Sequence, residues 1–302
     1  MSLLRGWGVV GFVFAAALWL APGEARAFPD EPYSLDEGKK AHTDRFHIMG
    51  ELGLFAGKRG TEAASQRSII VSPLIEMRFQ LSYSVILQAV WGMSYANVDL
   101  DDADPDNSFR IGNPYLAFHY QGKKGQFSYR AGLGATIPAA SLPDDINDRN
   151  TAASAYELAA GLRGNTMFWL WDPHTVSVII PIAVERRKPS GFLWGAYLDT
   201  GALIKLNDKN ARTSKTDFIM QMVAMMGYQA TDWLRVGSRF SLVLIPKYEE
   251  RKTQLAVEPY VRFGGENAFG AIRLNINIDE PFGFSFDARK VWGLRIGGGA
   301  SF

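Results

Sequence analysis

From residue 46 onward, apolar residues alternate with small or polar ones at a period of two. Successive side chains of a strand point to opposite faces, so this alternation predicts sheet whose two faces meet different surroundings. Residues 272–279 show it most plainly: Ile272, Leu274, Ile276 and Ile278 share one face, and Arg273, Asn275, Asn277 and Asp279 the other. At the end of the chain, Trp292, Leu294, Ile296, Ala300 and Phe302 alternate with Gly293, Arg295, Gly297, Gly299 and Ser301. Twelve such runs are readable: 46–56, 68–79, 84–97, 109–121, 126–137, 173–187, 192–206, 216–229, 232–245, 253–264, 268–279 and 287–302. Strands of a soluble sandwich usually span five or six residues. These runs reach ten and more, the length that crosses a bilayer at a tilt of about 45°. The pattern predicts an all-β protein, an antiparallel up-and-down transmembrane barrel of about twelve strands.

The connections support that topology. An even number of strands returns both termini to one side, and the turns there, at 80–83, 122–125, 188–191, 230–231 and 265–266, are short. On the other side the connections 57–67, 98–108, 138–172, 207–215, 246–252 and 280–286 are generally longer. Short periplasmic turns alternating with longer outer loops are expected of outer-membrane barrels, and closure leaves no sheet edge unpaired in hydrocarbon. Aromatic residues gather beside the short turns, among them Phe79, Tyr83, Tyr120, Phe127, Phe192, Trp194, Tyr228, Trp233 and Phe263, as an interfacial girdle requires. Pro73 and Pro259 fall within runs, where each removes a ladder donor; both are expected to mark bulges, as is the phase shift at Gly112-Asn113-Pro114.

Residues 1–27 read as a signal peptide. Arg5 precedes an apolar stretch from Trp7 to Ala21, and Ala25-Arg26-Ala27 supplies the small-x-small pattern of a cleavage site before Phe28. Residues 28–45 then form a periplasmic amino-terminal segment and 46–302 the barrel. The 302 residues carry 32 Lys plus Arg against 31 Asp plus Glu and no Cys. The absence of Cys excludes a disulfide scaffold, a thiol enzyme and a thiolate metal site. The charge balance, with no basic stripe bearing interleaved aromatics, argues against nucleic acid as a partner.

With these runs and a last strand from Trp292 through Leu294 and Ile296 to a carboxy-terminal Phe302, the chain resembles bacterial outer-membrane β-barrel proteins of porin or uptake-channel type. The resemblance implies that this last strand is read by the barrel-assembly machinery, and that outer-membrane lipid and lipopolysaccharide surround the barrel. A local likeness, Arg110-Ile111-Gly112-Asn113-Pro114-Tyr115-Leu116 followed by a strand closing at Ile137-Pro138, is similar to barrels of hydrocarbon-uptake and phenol-degradation type.

Facing the apolar side to lipid turns Glu51, Glu76, Arg78, Arg130, Glu185, Asp199, Lys205, Arg235, Arg239, Glu258, Arg262, Arg273, Asp279 and Arg295 inward. Glu76, Arg78, Arg130, Asp199, Arg235, Arg239, Glu258, Arg262, Arg273 and Arg295 are the candidate pore-lining set, in which arginine predominates and would bias a pore towards anions. The alternative is that acids and arginines pair across the lumen and fill it. Within the longest connection, residues 151–164 read as a short helix following Asn150, either folded into the mouth as a constriction or lying on the rim beside Trp169 and Trp171. Asp99, Asp101, Asp102, Asp104 and Asp106 form an acidic loop that fails the calcium-loop template at Asn107 and Asn113. His119 and Ser128 are expected to face each other across the turn at 122–125, at the wrong depth for a lipid hydrolase and without a third orienting residue. His47 and His174 are isolated, and no metal, cofactor or catalytic motif is readable. The expectation is a non-enzymatic outer-membrane channel passing small anionic or amphipathic solutes by passive diffusion. Its competitor is an occluded structural or adhesive barrel acting through its extracellular loops.

Overall fold

The computed structural model describes residues 46–61, 64–100, 106–124, 126–186, 191–207, 215–244, 253–265, 268–279 and 291–302. The signal peptide, the amino-terminal segment and the centre of the acidic loop lie outside the described residues. The strands are β1 (Phe46–Thr61), β2 (Ala64–Ser82), β3 (Val85–Leu100), β4 (Asp106–Ile111), β5 (Tyr115–Lys124), β6 (Phe127–Thr136), β7 (Thr175–Arg186), β8 (Gly191–Lys205), β9 (Thr216–Thr231), β10 (Leu234–Leu244), β11 (Thr253–Gly264), β12 (Ala268–Asn277) and β13 (Trp292–Ser301). Strands consecutive in sequence pair antiparallel, except that β4 and β5 both pair with β3, and β1 pairs with β13 to close a twelve-stranded barrel to which β4 is added. Phe46 and Phe302 exchange backbone hydrogen bonds at the seam, so both ends of the barrel chain lie at the end with the short turns.

Alternation sorts the two faces as the sequence predicts. Ile180, Ile182, Met222, Phe240, Val261 and Ile272 are exposed on the outside. Their strand neighbours Ile179, Ala183, Gln221, Ser241, Tyr260 and Arg273 are buried within. An exterior of exposed aliphatic and aromatic side chains is costly in water and suited to hydrocarbon. Phe79, Tyr83, Tyr120, Phe127, Phe192, Tyr228, Trp233, Phe263 and Phe302 form the exposed girdle at the short-turn end. Trp194 is half-buried, its ring 6.1 Å from that of Phe127.

Two prolines correct the expectation of bulges. Pro73 faces Leu52, and β2 resumes with β3 in the same register on either side of it, Val71 with Tyr95 and Leu74 with Gly92. Pro259 likewise faces Ser238, and Val257 with Ile276 and Tyr260 with Arg273 keep one register. Each proline interrupts the ladder on one side without adding a residue, so neither marks a bulge.

The real irregularity lies at Gly112-Asn113-Pro114. Val90 faces Tyr115 and Met93 faces Ile111, so three steps along β3 match four along the neighbouring chain, and one expected strand becomes β4 and β5. Strand β6 pairs with β5 and ends at Thr136. Beside β4 the chain continues as residues 137–142, anchored by Ile137 N–H to Pro114 and by His174 N–H to the carbonyl of Ala140. Side chains close this seam: Asn113 Oδ1 accepts Ala140 N–H at 2.8 Å, and the Tyr156 hydroxyl donates to the Ile111 carbonyl while accepting Ser141 N–H.

Candidate functional site: the barrel interior

The longest connection folds into the barrel. Its helix α1 (Ile146–Gly161) begins five residues before the expected start at residue 151, with Asp145 Oδ1 accepting the N–H of Asp148. It ends on Gly164 at φ 60°, where Gly164 N–H reaches Gly161 and Asn165 N–H reaches Ala160, the paired bonds of a left-handed helix stop. Beyond it Trp169 and Leu170 are 1% and 0% exposed, which places this segment inside the barrel and not on its rim.

Strands around the wall grip the loop by polar contacts. Ser94 of β3 donates to the carbonyl of Ala155 at 3.1 Å, and Asn275 and Asn277 of β12 donate to that of Gly161, both at 3.3 Å. Gln221 of β9 accepts Met167 N–H at 2.7 Å. Asn113 donates from its side chain to the carbonyls of Trp169 and Asp172, and from its backbone to that of Leu170. Close backbone approaches need glycine at two points: a Cβ on Gly92 would overlap the Trp171 indole, and one on Gly293 the backbone of Leu162. Around these contacts Phe55, Ile70, Leu74, Val90, Ile179, Leu203, Ile219 and Val243 point inward and pack with α1 and the Phe168–Trp171 turn into one apolar cluster. The outer half of the interior is therefore a hydrophobic core.

Towards the short-turn end the interior becomes charged. All ten of Glu76, Arg78, Arg130, Asp199, Arg235, Arg239, Glu258, Arg262, Arg273 and Arg295 are buried inside the barrel. Lys205 and Asp279 are half-buried near the outer ends of β8 and β12. Glu51 of β1 accepts from Arg273 at 3.0 Å, from Arg295 at 3.1 Å and from Arg163 of the loop at 3.1 Å. Glu258 pairs with Arg239 at 3.2 Å and with Arg295. Arg163 also donates to the hydroxyl and carbonyl of Ser72 and lies 5.5 Å above the Trp171 ring, so one loop residue ties the charged wall to the apolar core. Along the wall from β2 to β9, Arg78 and Gln88 donate to Glu76, Tyr197 to Glu185, and Gln221 to Asp199.

These walls differ in charge. Among the described buried side chains, β10 to β13 and β1 present Arg235, Arg239, Arg262, Arg273 and Arg295 against Glu51 and Glu258. Strands β2 to β9 present Arg78 and Arg130 against Glu76, Glu185 and Asp199. The interior thus runs from a cationic wall to a slightly acidic one.

The supposed pair of His119 and Ser128 does not form across the turn. His119 lies opposite Gly132, whereas Ser128 lies opposite Lys123, four residues away along β6, or roughly 13 Å at the strand rise. His119 Nε2 is instead 2.7 Å from Gln88 Oε1. His47 Nδ1 meets Ser301 Oγ at 3.0 Å, and His174 Nε2 accepts the N–H of Leu142. Among the described residues, no group of three or more His, Cys, Asp or Glu is placed to hold a metal. The last strand carries Trp292 against Phe55, ring centroids 5.8 Å apart, with Ile296 and Phe302 exposed and Leu294 half-exposed on the lipid side.

No family model matches the chain, and no curated protein matches it in sequence. In structure it is similar to an outer-membrane channel of Pseudomonas putida F1, with a TM-score of 0.55 at 10% identity over 94% of this chain and 100% of the other. It is also similar to the toluene transporter TbuX of Ralstonia pickettii, with a TM-score of 0.44 at 8% identity over 93% and 96% of the two chains. The NanC porin aligns over 84% of this chain and 98% of its own, with a TM-score of 0.47 at 8% identity. The chain has the fold of bacterial outer-membrane β-barrels, with the lipid-facing exterior which that fold requires.

Proposed function

We propose that this barrel is an outer-membrane channel through which small amphipathic anions pass by diffusion. The observation that carries the proposal is the division of its interior into an apolar outer half and a charged inner half with a cationic wall. A solute with an apolar body and a negative group finds favourable surroundings for each part in turn: burial against the outer cluster, then charge-assisted hydrogen bonds from guanidinium groups. Similarity to a Pseudomonas putida outer-membrane channel over its whole length supports the channel reading.

Each part of the interior has a role in this mechanism. The loop at 138–172 is the constriction, and the flux depends on how far it yields from its hold on Ser72, Ser94, Gln221 and Asn275. Arg235, Arg239 and Arg262 lie beyond it towards the periplasm and lower the barrier for negative groups. No covalent step is involved, and the driving force is the solute gradient.

Planar-bilayer recordings of the refolded protein across a salt gradient test the proposal. Discrete steps with a reversal potential on the anion-selective side support it. An occluded barrel acting through its loops would incorporate without steps, and charge swaps at Arg235, Arg239 or Arg273 would then alter only stability or assembly.

A further inference from the structure

Where the two halves of the interior meet, the buried cluster holds more positive than negative charge among the described residues. Arg163, Arg239, Arg273 and Arg295 share two carboxylates, Glu51 and Glu258. Arg273 and Arg295 lie directly opposite each other in the β12–β13 ladder, and Arg235 lies opposite Arg262 in the β10–β11 ladder. Like charges facing each other across a ladder destabilise a sheet, and guanidinium charge held away from water without a full complement of counter-charge costs more. The Nε of Arg295 is buried and has no acceptor among the described residues. Among the described residues Arg163, Arg239, Arg273 and Arg295 carry two more charges than the two carboxylates that they share.

The surroundings define what fits. Glu51 lies opposite Leu74, and Leu162 of the loop is 3.3 Å from the position of a Cβ on Gly53, two residues from Glu51. Met49, Phe269 and Ala271 pack together on the periplasmic side. We infer that the cluster is a binding site for a monocarboxylate with a compact apolar body: Arg239, Arg273 and Arg295 take the carboxylate beside Glu51 and Glu258, and the body faces Leu74 and Leu162. Planar guanidinium forks match a carboxylate bidentately, which a spherical anion cannot exploit. One bound monoanion brings the four arginines and two glutamates closer to neutrality.

The inference rests on the channel reading only for the route by which the solute arrives, and binding can be measured without conduction. Isothermal titration of the refolded protein in detergent micelles uses sodium benzoate, sodium chloride and benzyl alcohol as probes. The expected result is saturable benzoate binding at least tenfold tighter than chloride, with no comparable binding of benzyl alcohol. Arg273→Gln should weaken it tenfold or more, and Glu258→Gln, which adds a positive charge to the cluster, should tighten it several-fold. Benzoate no tighter than chloride, benzyl alcohol bound as well as benzoate, or weakening in Glu258→Gln would each overturn the site. If Arg273→Gln does not refold, Arg239→Gln supplies the same test. Conductance without benzoate binding removes this site and leaves the channel, whereas binding without conductance keeps the site and removes the channel.

Discussion

The outer and inner halves of this barrel hold their interiors together by opposite means. The outer half buries a loop against Phe55, Ile70, Leu74, Val90 and Ile179. Each such side chain contributes roughly 1.5–3 kcal/mol by leaving water. The inner half carries buried arginines and carboxylates whose desolvation offsets most of their mutual attraction. Stability alone explains the first arrangement but not the second, since apolar side chains of similar volume would hold an inner wall as well or better. The charged half is thus the part of the interior for which the proposed passage of a solute would account. Arg163 joins the two, with its guanidinium on Glu51 and its face on Trp171.

Emptying the outer half is expected to have the largest effect. Replacing residues 144–170 with a short Gly-Ser link should raise single-channel conductance several-fold, because the apolar cluster loses its centre while the inner wall stays. Unchanged conductance would show that the loop is not the constriction. Glu51→Gln comes next, since it leaves Arg163, Arg273 and Arg295 short of a counter-charge. A loss of about 3–5 kcal/mol is expected, read as a lower urea midpoint for loss of the heat-modifiable barrel.

Charge reversal at Arg239, against an unaltered outer half, should move the reversal potential towards cation selectivity with little change in step size. A shift in step size alone would place the selectivity elsewhere. Gly92→Val forces the Trp171 indole off β3 and should cost about 1–3 kcal/mol, with faster proteolysis of the loop as its readout. Tyr156→Phe is the mildest change. It removes the hydroxyl between Ile111 and Ser141 and should cost about 1 kcal/mol, seen as faster amide exchange at Ser141.

The barrel was legible in the sequence because period-two alternation depends only on two unlike faces, and strands such as 253–264 and 268–277 follow it throughout. The inward set was legible for the same reason. The depth of the loop was not, although a signal for it exists. Ile69, Ile70 and Val71, and again Val178, Ile179 and Ile180, are apolar on both faces, which a water-filled lumen gives no reason for. Those inward residues cover the loop. Arg163 escaped notice because its partner Glu51 is 112 residues away in the chain. Asn113 was visible as a break in phase and in the local likeness at 110–116, but not as a hydrogen-bonding hub. Its role depends on carbonyls of Trp169, Leu170 and Asp172, which no local pattern brings to it. Pro73 and Pro259 misled in the other direction, since a missing N–H interrupts a ladder without requiring an extra residue.

In the proposed mechanism the cationic inner wall serves a pore guarded by the inserted loop. Recording the full-length protein and the loop-shortened variant in the same planar bilayer, under one salt gradient, tests it most directly. Small anion-selective steps are expected for the first and larger steps, still anion-selective, for the second. Folded, heat-modifiable barrels that carry no current in either form would contradict it.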